Sequence, residues 1–212
     1  YEENLTLVQG VSLYGGFTGD EEARLRHNPL LHPTIIDGGD PDGTGTGYPA
    51  KGSAVMGANN ALLDGFIIRN GHANSGGGLR ISNGNMKVAN CQFYDNVADE
   101  QGGAANVQLS YTIFTNCTFV RNKANEGGGV AVLGSTAVLT NCTLASNSAN
   151  LTGHAVFSTD PANYLELTNC IVWGSPTGIS PIAEANGAAS TVRYCVIEAG
   201  FTGSDTEQII TD

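Results

Sequence analysis

Short runs in which apolar and polar residues alternate recur along most of the chain. Asn90-Cys91-Gln92-Phe93, Asn116-Cys117-Thr118-Phe119, Asn141-Cys142-Thr143-Leu144 and Asn169-Cys170-Ile171-Val172 are versions of one phrase, with a degenerate copy at Tyr194-Cys195-Val196-Ile197. The cysteine and the residue two places on are apolar and their neighbours are mostly polar, a period of two that predicts a strand with one buried face. Three residues before the cysteines the chain is apolar again, at Val88, Phe114, Leu139, Leu167 and Val192. The cysteines are spaced by 26, 25, 28 and 25 residues, so one unit is copied along the chain.

Each unit carries further fixed positions. Five residues after the first three cysteines stand Asn96, Asn122 and Asn147, and ten or eleven after them come Gly102-Gly103-Ala104, Gly127-Gly128-Gly129 and Gly153-His154-Ala155. Alternating apolar residues such as Val130 and Val132 follow the glycines and predict a second strand. One period of 26 before Cys91 lies Gly65, with Leu62 and Ile67 in the flanking apolar columns, Asn70 in the asparagine column and Gly76-Gly77-Gly78 in the glycine column. Units this short cannot enclose a core alone, so they stack, with like residues about 4.8 Å apart. The predicted fold is all-β: a right-handed parallel β-helix of roughly 25–26 residues per coil with three faces, right-handedness being the rule for parallel crossovers. Residues 1–212 read as one domain, with N-terminal coils and an insertion over 1–61, regular repeats over 62–200 and the start of a further coil over 201–212. The acidic stretch Asp20-Glu21-Glu22 leading to His27 predicts a short helical or loop insertion near residues 20–28.

Composition agrees with many short strands and tight turns: 29 Gly and only 14% charged residues. A net charge of −11 with nine Lys plus Arg argues against nucleic acid and anionic membrane surfaces, which need clustered cations. No apolar run approaches the roughly 18–20 residues that span a bilayer.

The recurrent residues read first as packing. Cys91, Cys117, Cys142, Cys170 and Cys195 follow the repeat rather than a compact zinc spacing, and form an interior ladder of small apolar side chains. Asn70, Asn96, Asn122 and Asn147 read as stacked amides that satisfy one another from coil to coil. His27, His32, His72 and His154 lack metal-type spacing and read as surface or turn residues, and Trp173 reads as packing. Chemistry is sought in two places. Asp37, Asp40 and Asp42 among glycines form a candidate calcium loop, the one cofactor the chain suggests. Arg69, Asp95 and Arg121 fall in one column, a charge ladder in the plain reading; with Lys123 and Glu126 they are the candidate catalytic set if the chain cleaves polysaccharide.

The glycine clusters paired with Phe93 to Asn96 and Phe119 to Asn122 resemble the repeats of chlamydial polymorphic outer-membrane proteins. The whole chain more closely resembles right-handed parallel β-helix, pectin-lyase-like surface proteins of Bacteroidetes and related bacteria, through the element from Gly10 to Phe17 and the Pro-Thr-Ile-Ile-Asp-Gly element from Pro33 to Gly38. The resemblance implies secretion or cell-surface location in a longer protein, of which this chain reads as a fragment. The expected function is a non-catalytic solenoid, structural or adhesin-like, with weak contacts to glycans or to host and cell-surface proteins. The alternative is a polysaccharide lyase or glycoside hydrolase of the same class.

Overall fold

The computed structural model describes residues 4–19, 27–39, 52–160, 164–176 and 178–198, with the backbone of 205–207. The insertion expected near residues 20–28 falls mostly outside them. All regular elements among the described residues are strands, and every pairing between strands is parallel, as stacked coils require.

One coil shows how the sequence is used. Tyr111–Thr115 turns at Asn116 into Thr118–Val120, which turns at Arg121 into Lys123–Glu126; a glycine corner then leads to Val130–Leu133, and Gly134 turns the chain into Thr136–Thr140 of the next coil. Asn116, Arg121, Gly127 and Gly134 all have positive φ, between 54° and 62°. Left-handed single residues are how a coil changes direction without a long loop, and they explain why Asn and Gly recur there.

Each segment stacks into its own sheet. Sheet A runs from Thr34–Asp37 through Gln92–Tyr94 to Val196–Ile197. Sheet B runs from Leu5–Thr6 through Val130–Leu133 to Ile182–Ala185, and sheet C from Ser12–Tyr14 through Tyr111–Thr115 to Asp205–Glu207. Sheet D has four strands: His72–Ser75, Val97–Gln101, Lys123–Glu126 and Ser148–Thr152. The coil therefore has four sides where three were expected. The segment between the buried asparagine and the glycines pairs over only one or two residues in register before the register shifts at a bulge, too little to be read as a strand from alternation.

Register also corrects the first full repeat. Phe93 lies over Ile68 and Val88 over Leu63, so Ile68 and Leu63, both fully buried, fill the columns assigned to Ile67 and Leu62. Gly65 is no member of the cysteine column; it is the left-handed corner (φ 83°) equivalent to Asn90 (φ 51°), and Phe66 follows it into the core.

Inside, like sits on like. Ile36, Ile68, Phe93, Phe119, Leu144, Val172 and Ile197 form one continuous column. Phe93 and Phe119 stack at 5.1 Å with an interplanar angle of 9°, and Phe114 meets Phe119 edge-on at 5.5 Å. Burial of each such side chain contributes about 1.5–3 kcal/mol.

Candidate functional site

The cysteine column is packing. All five thiols are free and buried, and each Sγ–H lies near a carbonyl one coil back, for example Cys142 to Phe114 at 3.6 Å. Burial pushes the Cys91 thiol up to about 12, and stacking against neighbouring thiols together with burial raises Cys142 and Cys170 to about 12. Thiols raised in this way stay protonated at neutral pH, so Cys91, Cys142 and Cys170 pack as small apolar side chains rather than act as thiolates.

The asparagine column holds three of its four expected members. Asn96, Asn122 and Asn147 are buried; the Asn122 amide donates to Phe93 O and Asn147 Oδ1, both at 3.0 Å, and its Oδ1 accepts from Asn96. Asn70 is displaced from it by the register correction. Its place is taken by Gly71, whose N–H donates to Asn96 Oδ1, while Asn70 takes the left-handed corner and donates to Asp37 Oδ1 at 3.0 Å. A second, exposed ladder was hidden in the residue before each cysteine. Asn90 donates to Asp64, Asn116 to Asn90, Asn141 to Asn116 and Asn169 to Asn141, over 2.7–3.2 Å. The recurring Asn-Cys pair was the signal for it.

The charged candidates are dispersed. Arg69 registers with Tyr94 rather than Asp95, and its Nε donates to Asp37 at 2.7 Å. Arg121 grips Asp95 through two bonds, at 2.8 and 2.7 Å, and lies over the Tyr94 ring at 5.7 Å. The Asp95 hydrogen bond and charge raise the Arg121 pKa, opposite to what a lyase base needs. Glu126, the last residue of its sheet D strand, accepts from Gln101 at 2.9 Å. Asp37 takes N–H donors from Asn70, Arg69 and Gly39. Burial tends to raise its pKa, but these bonds together outweigh it and hold the carboxyl below its ordinary value. A carboxylate so engaged by donors is poorly placed to ligate calcium, and Asp40 and Asp42 lie outside the described residues. Among the described residues no group of three or more His, Cys, Asp or Glu is arranged to hold a metal ion.

Lys123 is where the structure does build a site, on the outer face of sheet D. The strand Val97–Gln101 carries the bulge between Ala98 and Gln101, which turns both Asp99 and Glu100 to solvent. A cleft of about 400 Å³ opens there, lined by His72, Val97, Asp99, Lys123, Asn125 and Asn150. Asn125 donates to Asp99 O at 2.6 Å, and Asn150 donates to Asn125 Oδ1 at 2.7 Å. Lys123 is exposed and makes no ion pair among the described residues. His72 Nε2 meets Asp99 Oδ1 at 2.8 Å, while its Nδ1 is sealed from solvent and without a hydrogen-bond partner. That imidazole has no open nitrogen through which to pass a proton to a ligand.

Two histidines correct the surface assignment. His72 and His154 are buried, at 9% and 2% exposure. Trp173 departs in the other direction: it is 41% exposed on the outside of sheet A.

The fold and the family agree. Residues 46–197 match the family described as right handed beta helix region, and the chain belongs to that family. Neither curated proteins nor solved structures give a match. Among the described residues no helix is long and apolar enough to cross a membrane.

Proposed function

We propose that the protein is a non-catalytic, extracellular or cell-surface β-solenoid, structural or adhesin-like, that holds glycans weakly in the cleft on sheet D. The observation that carries this reading is the cleft's chemistry. One carboxylate, two carboxamides and one ammonium face solvent within three successive coils, a mixture of donors and acceptors suited to sugar hydroxyls. The one imidazole there is locked to Asp99 with its second nitrogen buried, and the other candidate catalytic residues are engaged in pairs elsewhere on the surface.

A glycan-array screen of the protein, run beside a depolymerisation assay on the glycans it binds, tests this. The expected result is weak binding that falls at least several-fold in Lys123→Ala and Asn125→Ala, with no product released. Product formation that is lost in Asp99→Asn or Lys123→Ala overturns the reading in favour of a polysaccharide lyase or glycoside hydrolase.

A further inference from the structure

The cleft on sheet D owes its shape to an uneven count of residues in successive coils. Between paired ends, the strand from Val97 to Gln101 has one residue more than the strand from Lys123 to Glu126, and the strand from Ser148 to Thr152 again has one more. Asp99 and Glu100 of one coil, and Asn150 and Leu151 of the coil two further on, therefore both oppose the single residue Asn125. The middle coil has no residue to set between Glu100 and Leu151. A notch is left there, two rungs or about 10 Å across, with Asn125 on its floor. Glu100 and Leu151 are exposed, Leu151 by 65%, and Asn125 is half-buried.

The side chains of these three strands sort ligands by chemistry. They carry three carboxylates, Asp99, Glu100 and Glu126, against the single ammonium of Lys123, in a chain of net charge −11. A sugar carboxylate or sulfate meets more repulsion than attraction there, so the cleft favours an uncharged glycan. The amide ladder also ends in a usable group. Asn125 donates to the Asp99 carbonyl, and its Oδ1 is taken by Asn150 at 2.7 Å; the Oδ1 of Asn150 itself accepts no hydrogen bond among the described residues. That free acceptor stands next to the exposed Leu151 at the edge of the notch. An acceptor beside an apolar side chain suits an acetamido group, because in a trans amide the N–H and the acetyl methyl lie on the same edge.

We propose that the cleft is selective for uncharged, N-acetylated glycans, with one acetamido group seated in the notch, its N–H donated to Asn150 Oδ1 and its methyl against Leu151. The inference rests on the reading of the sheet D cleft as a glycan site and names the class of sugar it takes. Lys123 and the outer amide of Asn125 remain for ring hydroxyls, which every neutral glycan offers. Discrimination therefore falls on the acetyl group, and removing its methyl from water against Leu151 is worth about four-fold in affinity.

Saturation-transfer NMR titrations of the protein with the tetramer of N-acetylglucosamine, its fully deacetylated counterpart and cellotetraose test the proposal. The expected result is that the acetylated tetramer binds about four-fold or more tighter than cellotetraose, with its acetyl methyl protons receiving the strongest saturation. Leu151→Ser and Asn150→Ala each bring its affinity down to that of cellotetraose, whereas Leu151→Met keeps the preference. Circular dichroism of all three variants matches the wild type, since both positions are exposed. Equal binding of the acetylated tetramer and cellotetraose overturns the inference and leaves the glycan reading of the cleft standing. Tightest binding of the deacetylated tetramer also overturns it, in favour of attraction between its amines and the carboxylates alone. If none of the three binds but the glycan array yields another sugar that needs Lys123, the inference falls and the reading stands; if the array yields none, both fall.

Discussion

A buried asparagine in this solenoid serves the coil before it and the coil after it at once. Asn122 links its backbone N–H and its amide to Asn147, donates to Phe93 O, and accepts from Asn96. Replacing it by Ala leaves several buried backbone and side-chain groups without partners, each costing about 1–3 kcal/mol. Asn122→Ala should therefore lower unfolding free energy by about 3 kcal/mol or more in urea titration, whereas Asn116→Ala, in the exposed ladder, should cost far less. His154 makes a pH-dependent contribution. Its Nδ1 accepts the Ala149 N–H at 2.7 Å, which requires that nitrogen to be unprotonated, and burial holds its pKa below the ordinary 6.5. Below about 6.5 the unfolded chain binds a proton that the folded chain refuses, so stability falls as pH drops from there toward the folded pKa; above 6.5 the residue contributes no slope. Thermal melts from pH 7.5 to 5 should show the midpoint of His154→Gln falling less steeply than that of the wild type.

At the scale of the strand and its corner, backbone approach is the stricter constraint. The carbonyl of Ser148 lies 2.3 Å from where a Cβ on Gly128 would stand, and the carbonyl of His154 lies 2.6 Å away. Both are backbone atoms of the next coil and cannot swing aside. Gly128→Ala should force the coils apart and cost about 3 kcal/mol, seen as a fall in urea midpoint; an unchanged midpoint would show that the corner relaxes freely. The glycine column was legible in the sequence, and so were the inward columns of sheets A, B and C, because alternation with a period of two survives in every copy. The period alone places the first repeat one residue off, because Gly65 does at its corner what Asn90 does in the next coil, and a left-handed position accepts either. Sheet D is illegible in the sequence for a different reason. Its bulged strands place two consecutive residues, Asp99 and Glu100, outward, so the alternation that announces a strand is broken where the cleft forms.

For the whole molecule, coils touch only their neighbours, and stability is a sum of coil and interface terms. Protection from hydrogen exchange should therefore peak in the central coils, at amides such as those of Phe119 and Val130, and decline toward Leu5–Thr6 and Val196–Ile197 at the two ends. Equal protection along the axis, measured by exchange mass spectrometry, would contradict a nearest-neighbour solenoid. By itself the sequence determined the coil length, the parallel stacking, the buried cysteine seam and the buried amides, because each is a repeated residue type and repetition is visible in one dimension. Only the tertiary structure decided the four-sided coil, the partners of Arg69 and Arg121, and the sheet D cleft. Those features depend on which residue lies above which, and a one-residue change in register, invisible in the period, moves a side chain to another neighbour or another face.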